Sequence, residues 1–263
     1  GDYFRLRIKL EFSSASAART KVILNMSQDP VKVLAFDVFG TVVDWRSSVI
    51  AEGERLGQAK GITDVDWAAF ADAWRAIYRP YMDRVESGQL PWTKLDHLHR
   101  QMLEETLARF DIASLTEDEI DHLNSAWQRL KPWPDSVPGL QRLKKRFVVT
   151  TLSNGNISLL TNMAKHAGLP WDCILSAENV HHYKPDPEVY LLAPQLFDLT
   201  PAEVMMVAAH EHDLQSAQKH GLRTAYIHRP MERGPGTAAP IPAPGRYDFI
   251  AKDILDLAVQ LAA

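Results

Sequence analysis

Cysteine occurs once in the 263-residue chain, as Cys173. A disulfide within the chain is therefore excluded, and a cytoplasmic location is the default expectation from such usage. Long apolar runs are also missing. Nothing approaches the roughly 20 residues a helix needs to cross a bilayer, so a membrane is not expected as partner. Nor does one sign of charge dominate: 29 Lys and Arg face 33 Asp and Glu, a formal net charge of −4. That balance gives no electrostatic reason to expect nucleic acid or anionic lipid. What is present is 46% hydrophobic and 24% charged residues, enough to build a sizeable core beneath a charged surface.

The N-terminal stretch differs from the rest. "YFRLRIKLEF" alternates Phe4, Leu6, Ile8, Leu10 and Phe12 with mostly charged residues, the period of a strand, and "SSASAARTK" then reads as a loop. The charged start, apolar block and cleavage site of a signal peptide do not occur in that order. Met26 would be a natural start for a domain whose first strand is 31–36. Residues 1–30 are therefore expected to be an N-terminal extension, with 1–25 either an expression remnant or dispensable, or else a real edge strand.

Beyond it, "VLAF" at 33–36 and "FVVTTL", "VMMVAA" and "TAYIH" read as short buried strands at 31–36, 147–152, 204–209 and 224–228, with "CILSA" at 173–177 a weaker fifth. Helical patterns such as "SLLTNMAKHAGL" and "PEVYLLAPQLF" lie between them. Strands alternating with helices predict an α/β fold, a Rossmann-like parallel sheet covered on both faces. Residues 46–130 interrupt that alternation with helices only; Trp67, Phe70, Trp74, Ile77 and Tyr81 recur at helical spacing as one buried stripe. The expected organisation is a core formed by 31–45 and 131–263 with an inserted helical cap at 46–130. "KPWPDSVPGL" at 131–140 reads as a linker, and "RPMERGPGTAAPIPAPG" at 229–245 as a surface loop.

Ligands in open parallel sheets gather beyond the carboxyl ends of the strands. Asp37, Ser153 with Asn154, Lys184, and the run from His210 to Asp213 all lie at or just past such ends. Any one of them alone reads as a cap, a turn former or an exposed lysine. Together they point to a site.

"FDVFGT", "LSNGN", "YKPDPEVY" and "VAAHEHDLQSA" occur in the order and spacing of the haloacid dehalogenase superfamily. Over about residues 31–260 the chain most resembles its type II L-2-haloacid dehalogenase branch. The resemblance implies a nucleophilic aspartate, here Asp37. Most of the superfamily cleaves phosphate esters and carries a second Asp two residues later to protonate a poor leaving group. Here that residue is Phe39, which cannot donate a proton, so the leaving group should need none; halide ions qualify. The "GD" positions of the metal-dependent members are Ala208 and Ala209, and a methyl group removes an oxygen ligand for a hard cation. No metal and no cofactor are expected.

A carboxyl with a reference pKa of about 4 is ionised at neutral pH. Asp37 would displace halide and form an ester, which water then opens to a 2-hydroxy acid. Lys184 would orient the nucleophile, and Thr41, Ser153 and Asn154 would donate hydrogen bonds to it or to the substrate carboxylate. The resemblance makes Arg75 the cap arginine that receives halide, against the plainer reading of a solvated arginine at the cap's edge, and Asp213 the carboxylate that activates water; Trp92 is a candidate wall of the halide pocket or, equally, a core tryptophan. The sharpest departure is His210, where the family has Asn. It is expected to assist water activation or to bind halide beside Arg75, or simply to fill the place of the amide. His210 and His212, with His181, His182 and Glu178, also admit a metal reading, which the His-Glu-His spacing does not favour.

The expected substrate is thus a short halogenated carboxylic acid, a haloacetate or L-2-haloacid. Alternatives are opening of a strained azetidine-type ring by the same nucleophile, a Mg²⁺-dependent phosphatase, and a non-catalytic binding protein. The resemblance allows a homodimer, although no interface is read from the sequence.

Overall fold

The computed structural model describes residues 30–263; the N-terminal extension, with its expected edge strand, lies outside the described residues. Val33–Phe36 form β1, and all four side chains are buried. A strand covered on both faces has no polar side to alternate with, which is why it reads as an unbroken apolar run. A two-residue strand β2 (Val43–Asp44) comes next, then α1 (Trp45–Lys60), α2 (Trp67–Ala76), α3 (Tyr78–Glu86), α4 (Leu95–Arg109) and α5 (Glu117–Asn124). The chain returns through β3 (Lys131–Pro132), antiparallel to β2, so the helical excursion starts and ends on one short ladder.

The second half alternates strand and helix: α6 (Ser136–Leu143), β4 (Val148–Ser153), α7 (Ile157–Ala167), β5 (Cys173–Ser176), α8 (Pro187–Leu196), β6 (Val204–Ala208), α9 (Glu211–Lys219), β7 (Arg223–Ile227), β8 (Phe249–Ala251) and α10 (Ile254–Gln260). The six-stranded sheet runs in the order β5-β4-β1-β6-β7-β8, every pair parallel. β1 is therefore central, with β4 and β6 on its two sides, and the chain changes direction of travel across the sheet there. Such a switch point opens a crevice beyond the strand ends.

Two local expectations change, and one strand is added. The 131–140 stretch is not a plain linker: it carries β3 and the start of α6. Pro138 is tolerated because it falls in the first turn of α6, where the missing N–H has no helical partner to lose. The stripe Trp67, Phe70, Trp74 and Tyr81 is buried, but it runs over two helices, broken at Ile77. Pro80 explains the break, since it cannot donate back to Ala76 in a continuous helix. β8 is three residues long, too short to show a period.

The helical block and the sheet meet in an aromatic seam. Trp127 stacks on His99 at 4.5 Å and lies 5.3 Å from Trp74, 6.2 Å from Trp45 and 6.0 Å from Phe39. His99 is fully buried, and burial keeps its ring neutral by pulling its pKa well below the ordinary value. Truncating Trp127 to Ala should cost about 3–5 kcal/mol in urea unfolding, the usual range for a large aromatic lost from a core.

Candidate active site

Asp37 comes directly after the last residue of β1, yet its backbone N–H still donates to Val207 O at 2.9 Å. Strand pairing thus fixes the acid's position up to its own Cα. The chain then turns sharply through Gly40, whose φ of +83° favours glycine. The turn brings Thr41 back under the carboxylate. Thr41 Oγ1 accepts from the Ala209 N–H at 2.9 Å and donates to Asp37 Oδ2 at 2.8 Å. Because the incoming N–H occupies a lone pair, the hydroxyl proton is directed at the acid.

Lys184, beyond β5, reaches across to two carboxylates: 2.7 Å to Asp213 Oδ2 and 3.5 Å to Asp37 Oδ1. Asp213, in the first turn of α9, also accepts from the Tyr190 hydroxyl at 2.7 Å. Ser153 at the end of β4 accepts from the Gly155 N–H at 3.1 Å and faces the cleft with its hydroxyl proton uncommitted among the described contacts. Asn154 is used as a clamp: its Oδ1 accepts from the Lys184 N–H at 2.8 Å, and its Nδ2 donates to the Tyr78 hydroxyl at 2.8 Å.

Burial by itself would raise the Asp37 carboxyl, but the Lys184 ammonium and the His210 and Thr41 hydrogen bonds outweigh it and hold the pKa well below the usual carboxylate range. Burial likewise works against the Lys184 charge, and the flanking Asp213 and Asp37 carboxylates more than offset it, raising its pKa. The nucleophile candidate is therefore anionic and its neighbour cationic throughout the neutral range.

His210 lies between two acids. Its Nδ1 is 3.1 Å from Asp37 Oδ2, and its Nε2 is 2.9 and 3.0 Å from the two oxygens of Glu232. Burial opposes its charge, but the two hydrogen-bonded carboxylates prevail and push its pKa up to about 10. A ring that donates from both nitrogens has no lone pair for a proton, so the expectation that His210 helps activate water does not suit this arrangement. Glu232 comes from the 229–245 loop. That stretch has no regular element, but it is not merely a surface loop: Glu232 is buried. On the same segment Arg229 makes a bidentate pair with Asp135 at 2.7 and 2.8 Å and donates to Thr41 O at 2.8 Å.

Asp37, Lys184, His210 and Asp213 line one cleft of about 760 Å³ together with Phe39, Ser153, Asn154 and Arg75. The Arg75 guanidinium lies 4.1 Å from the Tyr78 ring centroid and 5.8 Å from that of Trp45. Trp92 is elsewhere. It stacks on His181 at 5.2 Å and packs at a tilt against Tyr183 at 4.7 Å, pinning the segment before α4 to the core; it does not line the cleft. Sequence reasoning missed Tyr190 and Glu232. Tyr190 stands six residues after Lys184 and closes the motif "YKPDPEVY", so the signal was at hand. Glu232 had none: an acid in a Pro- and Gly-rich run resembles any solvated loop residue.

The sequence pattern of the family described as haloacid dehalogenase-like hydrolase matches residues 31–221. An (S)-2-haloacid dehalogenase 4A of Burkholderia cepacia is 30% identical over 211 residues, 76% of this chain and 84% of that protein. Among solved structures, an L-2-haloacid dehalogenase superposes with a TM-score of 0.84 at 48% identity, covering 89% of this chain and 99% of that one. A defluorinating L-2-haloacid dehalogenase superposes at 0.85 with 46% identity, covering 89% and 96%. No described helix is long and apolar enough to cross a membrane.

The His210 charge has a thermodynamic consequence. Its pKa rises from an ordinary 6.5 to about 10 in the folded chain, so the folded state holds that proton more tightly than the unfolded one. The associated stability is complete below pH 6.5 and is lost as pH rises through about 10. Calorimetric melting temperatures should therefore fall across that window, and His210→Asn should flatten the decline.

Proposed function

The chain belongs to the haloacid dehalogenase-like hydrolases, and within that family we propose that it converts short 2-haloalkanoic acids, haloacetates or L-2-haloacids, to 2-hydroxy acids through an ester on Asp37. One observation carries the reading: an ionised, hydrogen-bonded Asp37 shares its cleft with Phe39, buried to 5% exposure, where a proton donor would be needed for a poor leaving group. The relatives that are themselves 2-haloacid dehalogenases support it.

Asp37 attacks the halogen-bearing carbon opposite the carbon–halogen bond. An oxygen–carbon bond forms as the carbon–halogen bond breaks, and the electron pair leaves with halide. Arg75, stacked on Tyr78, presents a guanidinium to the emerging anion; a weakly hydrated planar cation suits that role in a cleft walled by aromatics. The Ser153 hydroxyl is the available donor for the substrate carboxylate. Water then attacks the carbonyl carbon of the Asp37 ester. Asp213, fixed by Lys184 and Tyr190, accepts a proton from that water and returns it to the departing alkoxide.

Incubation with fluoro-, chloro- and bromoacetate and the matching 2-halopropionates should yield halide and 2-hydroxy acid in equal amounts. Release of no halide from any of them would sink the proposal, and turnover of a strained ring acid without halide would move the chemistry to ring opening. Asp37→Asn should lower turnover by at least about 10³-fold, since an amide is not a nucleophile here. Arg75→Ala should lower kcat by roughly 10²-fold, most severely for fluoride, the anion whose bond to carbon is strongest.

A further inference from the structure

His210 and Glu232 take no part in these steps, yet His210 contacts the nucleophile and the buried Glu232 stands directly behind it. The two oxygens of Asp37 are not equivalent. Oδ2 receives Thr41 Oγ1 at 2.8 Å and His210 Nδ1 at 3.1 Å. Among the described residues Oδ1 has only Lys184 at 3.5 Å, and that ammonium makes its shorter contact, 2.7 Å, with Asp213. One oxygen is saturated with donors and the other is open.

We propose that Glu232 is a positioning residue that holds His210 as a fixed cation on Asp37 Oδ2, making Oδ2 the oxyanion of ester hydrolysis and leaving Oδ1 as the nucleophile. This deepens the Asp37-ester reading and rests on it. Alkylation at Oδ1 leaves Oδ2 as the ester carbonyl oxygen. When water adds to Cγ, its oxygen bonds to carbon, one of its protons passes to Asp213, and the carbonyl electron pair moves onto Oδ2. There it meets a hydroxyl and an imidazolium N–H already in place, so no dipole must reorganise as the charge develops. Collapse breaks the Cγ–Oδ1 bond, and the alkoxide leaves with Oδ1 and takes the proton from Asp213. Asp37 regains a carboxylate containing the oxygen of water, and the second water proton is released to solvent.

Glu232 is built into this position rather than near it by chance. Its Oε1 also accepts from Trp45 Nε1 at 3.2 Å. A Cβ on Gly40 would collide with that same oxygen, so the turn behind the nucleophile is open at the point where the carboxylate enters. Other charged or titratable groups near the pair are His212, whose ring lies 5.7 Å from that of His210, Arg233, whose charge acts on Glu232, and the Tyr226 hydroxyl, which feels the Glu232 charge. None of these replaces the second carboxylate. Without it, burial works against a charged ring, and a neutral His210 would direct a lone pair or a weaker donor at Oδ2.

The test is Glu232→Gln, which keeps the shape and removes the charge, studied with bromoacetate in a single-turnover experiment. Bromide burst reads alkylation, the mass of the Asp37 peptide reads the ester, and ¹⁵N NMR of labelled histidine reads the imidazole. Above neutral pH the variant should keep its burst rate within about threefold. It should accumulate ester and lose roughly 10²-fold in steady-state turnover, the usual cost of one oxyanion donor. Acidification should restore turnover as His210 regains its proton, so the alkaline limb of the pH profile moves to lower pH. In His210→Asn that limb should be absent, and adding Glu232→Gln should no longer shift it. A His210 that stays an imidazolium in Glu232→Gln, a superimposable pH profile, or equal slowing of burst and hydrolysis would each overturn the role of Glu232. A single wild-type turnover in H₂¹⁸O that leaves Asp37 unlabelled and puts the label directly into the hydroxy acid would instead overturn the ester reading beneath it.

Discussion

Everything in the cleft is arranged around the cost of keeping one carboxylate ionised where little water reaches it. Asp37 could shed that cost by taking up a proton, and a lone buried acid would do so. Lys184 on one oxygen and Thr41 with His210 on the other prevent it. Each cation in turn carries a further acid: Asp213 behind Lys184, Glu232 behind His210. The result is a chain of alternating charge, acid–base–acid–base–acid, in which removing either cation leaves the buried acid at that end, Asp213 or Glu232, without its paired charge.

That chain is assembled from parts far apart in sequence, and the sheet is what makes it possible. β1 occupies the centre, with β4 and β6 paired to it in parallel register, so the ends of three strands deliver Asp37, Ser153 and the segment before His210 to one edge. The last member arrives differently. Glu232 stands in an irregular loop between β7 and β8, held by the Arg229–Asp135 pair. A segment without regular secondary structure is thereby anchored where it meets the site, at Arg229 and Glu232.

The strands and the groups at their ends were legible because buried parallel strands write themselves as apolar runs that stop at a polar residue. Asp37, Lys184 and Asp213 emerge from that grammar and from a family resemblance. What was not legible depended on contacts without periodicity. Trp92 looks like any aromatic near a cleft, yet it packs on His181 and Tyr183 instead. The helix through Trp67 and Tyr81 kept its buried stripe but broke at Ile77, because one proline outweighs a good pattern. His210 was visible as an odd residue, but its charge depends on Glu232, and nothing local in the sequence couples the two.

Phe39 belongs to two parts of the molecule at once. Its ring meets His99 edge-on at 6.4 Å and Trp127 at 6.0 Å, in the seam that joins the helical block to the sheet. An aspartate at this position would place a carboxylate against indole and a neutral imidazole, with no cation among these ring contacts to receive it. Installing a proton donor here would therefore disturb the seam as well. Packing thus ties residue 39 to the rest of the molecule: the side chain beside Asp37 is also a wall of the seam, and one cannot be exchanged without disturbing the other.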